Sequence, residues 1–302
     1  MNFRPENEAK GGAPGGPPDG PPDEGLPKGP EERGERGRFV SRLGPVPLIV
    51  GLLLLALVVG VFLLWRSYGD RVGGISVFEE SVESGAEPVV RLTNGPGQVR
   101  VEGVGGLENV EITAQRYARG SNPTAAKENA DRVPVDVTND GSTVEISSEG
   151  GRGTGADYDV RVPPGSVIEI ASSAGDVEVS GLDGEVRVHA ESGDISVNDV
   201  RGPVAVEAPQ GDVALEGVST ETGNAEITVD AGDVELEDLV VGILETRVET
   251  GDVTLSGRFS GGGWVIVETG SIYARLPSED TRELTLETRV GEVVRNDEQG
   301  SG

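Results

Sequence analysis

The sequence predicts an all-β protein: a parallel β-solenoid (β-helix) of about seven rungs of 18–21 residues, preceded by one transmembrane helix and a disordered N-terminal arm. Three observations predict it. A Gly-Asp-aliphatic-x-aliphatic element returns at a nearly constant interval. Apolar residues fall into columns when those elements are aligned. A run of 22 residues without a charge, Gly44 to Trp65, precedes them all.

Residues 1–43 form the arm. They include Gly16-Pro-Pro-Asp-Gly-Pro-Pro-Asp23, a low-complexity stretch with nothing to bury, so ordering it would not be offset by packing. Residues 44–65 (GPVPLIVGLLLLALVVGVFLLW) are long enough, at about 1.5 Å per residue, to cross about 30 Å of hydrocarbon as a helix. Pro45 and Pro47 fall at its start, where a missing N–H costs a helix least. Trp65 and Tyr68 stand where interfacial aromatics are expected. Lys28, Arg33, Arg36, Arg38 and Arg42 precede the run, whereas only Arg66 and Arg71 follow closely; positive-inside bias then puts the arm in the cytoplasm and the remainder outside. A cleaved signal peptide would need a shorter leader, a shorter apolar stretch and a small-x-small site, and Leu63-Leu64-Trp65-Arg66 offers none. Residues 66–86 read as a tether.

The repeat comes next. It reads GDVEV at Gly175, GDISV at Gly193, GDVAL at Gly211, GDVEL at Gly232 and GDVTL at Gly251, with degenerate copies at Gly270 (GSIYA) and Gly291 (GEVVR). The spacings are 18, 18, 21, 19, 19 and 21 residues. Two residues after each glycine stand Val177, Ile195, Val213, Val234, Val253, Ile272 and Val293. Five before stand Ile170, Val188, Val206, Ile227, Thr246, Val265 and Leu286, and seven after stand Leu182, Val200, Val218 and Leu239. Polar residues alternate with them, the mark of strands with one buried face. Burying an aliphatic side chain gains about 1.5–3 kcal/mol. Fixing each residue of a rung costs about 1–2 kcal/mol. One rung alone cannot fold, so the rungs must stack. A β-sandwich would alternate too, but nothing in it would bring Gly-Asp back at this interval. The general crossover preference favours a right-handed coil.

Residues 87–170 form the N-terminal part of the stack. Asn94-Gly95-Pro96-Gly97-Gln98-Val99 reads as a first, irregular rung; Val110–Ala114, Val133–Val137, Thr143–Ile146 and Tyr158–Val162 alternate as strands. Asn122-Pro123 can cap a short helix near 123–132. Regular rungs occupy 171–295, and 296–302 read as a disordered tail.

Composition bounds the chemistry. Of the 53 acids and 25 bases, 45 acids and 18 bases lie beyond the apolar run, a net of −27 there. Such a surface repels nucleic acid and anionic headgroups and attracts cations or basic partners. With no cysteine, three lysines and no Gly-x-Ser-x-Gly, nucleophilic arrangements lack their parts, so no catalytic residue and no cofactor is assigned. The single histidine, His189, falls at an outward position of an alternating segment and reads as a surface residue. Carboxylate pairs of the glycosidase kind are uninformative where acids are so abundant.

One column stands out: Asp176, Asp194, Asp212, Asp233 and Asp252. Stacked about 4.8 Å apart, neighbouring carboxylates repel by about 0.9 kcal/mol per pair even in water. Each aspartate either accepts backbone N–H bonds at its corner, or the column forms weak Ca²⁺ sites, since hard cations favour carboxylate oxygens. The Gly-Gly-x-Gly-x-Asp pattern of calcium β-rolls is missing.

The segment NGPGQVRVEGV from Asn94, then DYDVRVPPGSVIEIASSAGDVEVSGL from Asp157, followed by the serial TGDV/SGDI rungs through Val293, resembles the putative-adhesin β-helix family over roughly residues 88–294. The resemblance implies an envelope-associated β-helix with a role in adhesion or envelope sensing, and no catalytic residues to carry over. The last rungs depart from the pattern, with Ser271 and Glu292 in place of Asp.

The expectation is a single-pass protein of the cell membrane, its solenoid extracytoplasmic and binding an envelope or surface partner. The alternatives are an envelope-state sensor signalling through residues 1–43 and, in a third class, a polysaccharide-acting enzyme.

Overall fold

The computed structural model describes residues 73–277 and 284–298. The expected arm (1–43), the expected transmembrane helix (44–65) and residues 299–302 of the expected tail lie outside them. No helix among the described residues is long and apolar enough to cross a membrane.

The described chain is a parallel β-solenoid built on two main sheets joined at the Gly-Asp corners. Each regular rung begins with a strand of the lead sheet, turns at the corner and continues in the trailing sheet. The pairs are β8 (Val167–Ala174) with β9 (Val177–Ser180), β10 (Val186–Ala190) with β11 (Ile195–Asn198), and β12 (Val204–Gln210) with β13 (Val213–Glu216). Two long strands then bend through more than one side, β14 (Ser219–Ala231) and β15 (Val234–Thr250). The stack continues with β16 (Val253–Phe259), β17 (Gly263–Thr269), β18 (Ile272–Pro277), β19 (Leu284–Val290) and β20 (Val293–Glu298). Lead strands pair parallel with lead strands and trailing with trailing, so that Ile195 opposes Val177 and Val213, and Val188 opposes Ile170 and Val206. The seven corners from Gly175 to Gly291 therefore bound about six full turns, because the last rung ends at β20 without returning. A short third side appears in the later rungs, where Ser219 and Thr220 pair with Val240 and Val241, and these with Arg258 and Phe259.

The aliphatic columns are the core. Ile168, Val186, Val179, Val197, Leu182, Val200 and Leu239 are fully buried, as are most of their counterparts. Thr246 is the exception in kind: it is fully buried between Ile227 and Val265, and its hydroxyl has no hydrogen-bond partner. A buried, unsatisfied hydroxyl is costly. Thr246→Val, of the same shape, is expected to stabilise the protein by about 1 kcal/mol in urea unfolding; an unchanged or lower midpoint would show that the hydroxyl finds a partner.

The N-terminal end is more elaborate than a first rung. β2 (Val89–Pro96) and β3 (Val99–Gly103) form a rung, but the chain then leaves the stack through β4 (Asn109–Ala118), α1 (Pro123–Asp131) and β5 (Asp136–Asn139). It returns as β6 (Thr143–Ser148) and β7 (Thr154–Val162), which lie against the outer side of β2 and β3, while β8 and β9 lie against the inner side. The rung read from the sequence as first is thus second in space, clasped between two later segments. Pro163-Pro164-Gly165 carries the chain across it.

Residues 66–86 were expected as a tether, yet β1 (Gly74–Glu83) pairs antiparallel with β4, and β4 antiparallel with β7. Asn122 caps α1 by accepting from the Ala125 amide at 2.9 Å. Val133, read as the start of a strand, instead packs with Ala118 and Ala130 behind the helix. At the other end, β20 extends to Glu298, into the stretch read as tail, and Arg295 stands in register with Ala274, in a column that is otherwise buried and apolar.

Candidate functional site

The aspartate column is a ladder along one edge of the stack. Asp176 accepts the Asp194 amide at 3.2 Å, Asp194 the Asp212 amide at 3.0 Å, Asp212 the Asp233 amide at 2.8 Å, and Asp233 the Asp252 amide at 2.8 Å. Asp252 ends the series on the Ser271 amide at 2.7 Å. Each carboxylate thus satisfies the corner of the following rung, not its own. The glycine before it is required for a separate reason. At Gly211 φ is +139°, and a Cβ there would lie 2.1 Å from the carbonyl oxygen of Gly193. Positive φ and direct backbone stacking both exclude a side chain. The Gly-Asp repeat is therefore a stacking device: glycine lets the corners approach, and aspartate ties each to the next.

This division of labour bears on cations. One oxygen of each aspartate is already engaged by an amide. The five carboxylates line an open acidic groove of about 650 Å³, floored by Ser196 and Ala214. Among the described residues, no group of three or more His, Cys, Asp or Glu side chains converges as a metal site would require. Asp212→Ala is expected to cost about 0.5–1.5 kcal/mol by freeing the Asp233 amide, whereas Asp212→Asn, which keeps the acceptor, costs less than about 0.5 kcal/mol. Melts in calcium and in EDTA should superimpose; a calcium-dependent rise would mean that the ladder holds ions.

The outward face of the lead sheet carries a second feature. Residues 18 or more apart meet across rungs: Glu145, Arg91, Glu169 and Arg187 are successive neighbours in register. Arg91 contacts Glu169 at 2.7 Å and Glu145 at 3.6 Å, and Arg187 contacts Glu169 at 3.4 Å and Glu185 at 2.5 Å. The hydrogen bond that Arg91 donates to Glu169, with the charges of Glu169 and Glu145, pushes the Arg91 pKa up. His189 pairs with Glu207 at 3.1 Å, one rung on. Between these charged groups the surface dips over Thr93, Ala171, Ala205 and Thr228 into a groove of about 620 Å³ crossing β2, β8, β10, β12 and β14. Further along, the Arg247 guanidinium lies 5.7 Å from the centre of the Trp264 ring.

The sequence singled out the aspartates and His189 but not this groove. The signal was available in outward positions one repeat apart, such as Glu169 and Arg187, but their pairing needs the register as well as the period.

A family profile described as Toastrack DUF4097 matches residues 97–300. No curated protein matches the chain. Among solved structures, a "putative adhesin" of Bacteroides fragilis is similar over 73% of this chain and 97% of its own, with 14% identity and a TM-score of 0.48. A "putative cell adhesion protein" of Clostridium sporogenes is similar over 74% and 100%, with 12% identity and a TM-score of 0.32. A "putative adhesin" of Parabacteroides distasonis is similar over 75% and 98%, with 11% identity and a TM-score of 0.36.

Proposed function

The chain belongs to the Toastrack DUF4097 family, and from that premise we propose that it is a membrane-anchored, extracytoplasmic binding or adhesion module that performs no catalytic step. Its envelope or surface partner is held against the lead-sheet groove. The observation that carries this reading is the groove itself: a concavity across five strands, floored by small side chains, whose arginines are already paired with glutamates. Compensated charge favours directional hydrogen bonding to a polar partner over bulk attraction. A rigid sheet is the kind of scaffold on which such contacts keep their positions. Anchorage rests on the uncharged run at 44–65, and the outward orientation on the excess of bases before it.

Two measurements test the proposal. In intact cells, an impermeant label should reach exposed positions of the solenoid and spare residues 1–43; labelling of the arm instead would reverse the topology. In envelope-binding assays with the full chain, Ala205→Arg should fill the groove and weaken retention about tenfold, with an unchanged melting temperature. Retention unaffected by Ala205→Arg would move the contact elsewhere. Deleting 1–43 should leave binding intact; a loss of the cellular response with binding preserved would favour the sensor alternative.

A further inference from the structure

We infer that one corner of the N-terminal cap is a docking surface for an anionic lipid bilayer; the inference rests on the anchored reading above.

Outward positions of β1 run Ile75, Val77, Glu79, Ser81, Glu83, apolar at one end and acidic at the other. Ile75 and Val77 are 51% and 54% exposed, the two side by side on one face of the strand. Opposite Ile75 in β4 stands half-buried Tyr117.

Bases gather at the same end. Gly74 is in register with Ala118, and Ala118 with Thr154, which brings together the residues that flank these positions. Arg119 follows β4 and Arg152 lies in the turn before β7, whereas Lys127 lies on α1, which packs on the Gly74 and Ser76 face of β1, opposite Ile75 and Val77. A Cβ on Gly153 would come within 3.0 Å of the Arg119 side chain, and Asn129 of α1 donates to the Arg119 carbonyl at 2.9 Å. Arg119, Lys127 and Arg152 are exposed, and none makes an ion pair with a described carboxylate. The helix's own acids are engaged, Asp131 by Arg116 and Glu128 by Arg132. Glu149 is the exposed acid nearest in sequence to Arg152.

A chain that carries −27 beyond its apolar run thus presents two unpaired arginines, Arg119 and Arg152, at the end of the cap that carries two exposed aliphatics. Basic residues beside apolar ones suit the headgroup region of an anionic leaflet. The rest of the acidic surface is repelled by the same leaflet, which leaves this corner as the side that approaches.

The chain's length commits the occupant. Only residues 66–73 separate Trp65 from β1, and eight residues span at most about 26–29 Å. A tether that short holds the corner at high effective concentration against the bilayer, so a small contact suffices.

The chain has no cysteine, so single-cysteine reporters are unambiguous. Full-length Ile75→Cys, Val77→Cys and Glu83→Cys, each carrying an environment-sensitive fluorophore, are reconstituted in phosphatidylcholine vesicles with and without phosphatidylglycerol, plus a nitroxide headgroup quencher. With phosphatidylglycerol, the probes at 75 and 77 should shift to the blue and quench several-fold more than the probe at 83. The double reversal R119E/R152E should bring them down to the level of position 83. Equal quenching at all three positions, or quenching indifferent to phosphatidylglycerol and to the reversal, overturns the inference. Carbonate extraction separates the two readings: a chain that resists extraction but keeps 75 and 77 exposed is anchored without docking. A chain that extracts defeats the anchor and this inference together.

Discussion

Gly211→Ala is expected to destabilise the protein by about 3–5 kcal/mol. The added Cβ would lie 2.1 Å from the Gly193 carbonyl oxygen, and the backbone there holds φ at +139°. Neither conflict can relax alone. Moving the corner away breaks the Gly193 amide bond to Gln210 (3.0 Å), the Gly211 amide bond to Ala231 (3.1 Å) and the tie from Asp212 to Asp194. Strained φ costs about 1–3 kcal/mol and backbone overpacking a similar amount. Because a solenoid is a row of nearest-neighbour interfaces, the defect should also divide it. Urea unfolding followed by hydrogen exchange should show the rungs beyond Gly211 exchanging separately from those before it. A single transition at the wild-type midpoint would contradict the stacking account of the repeat.

Asn94→Ala is expected to cost about 2–4 kcal/mol. Asn94 is 3% exposed. It donates to the carbonyls of Gly97 at 3.0 Å and Ala156 at 3.2 Å, and accepts from the Ser148 hydroxyl at 2.8 Å. At this corner Asp157 accepts the Gln98 amide at 2.9 Å, as the ladder aspartates do elsewhere, and Asn94 adds donors to the carbonyls from inside the stack. Removing it leaves buried carbonyls without donors and a small void. Asn94→Asp should fare no better at neutral pH despite its shape, because a carboxylate would face two carbonyl oxygens with nothing to donate. If Asn94→Asp matched wild type in thermal unfolding, shape rather than hydrogen bonding would hold the clasped rung.

The regular rungs were legible in the sequence because their physics is local and repeated. Only glycine fits the stacked corner, an aspartate after it finds an amide waiting in the next rung, and aliphatics two and four positions on have no choice of face. The N-terminal cap was not legible for the opposite reason. The alternation in β2 and β3 says which side is buried but not which strands will lie above and below, and β6 and β7 arrive from some fifty residues downstream. β1 was hidden in a stretch too polar to announce itself, since only Gly74, Ser76 and Val82 of its ten residues are buried. The groove lay between the two cases. Its residues alternate visibly, but the pairing of Glu169 with Arg187 needs register, and its floor of Ala171 and Ala205 has no signature of its own.

Arg295 interrupts the aliphatic column at the last described rung. A solenoid that ended on another flat aliphatic rung would offer the next molecule a template as good as its own interior, and copies could add one after another into a fibre. A guanidinium in the column of Ala274 and Leu255 makes that addition pay the desolvation of a charge. A charge in that column therefore disfavours growth by copying along it.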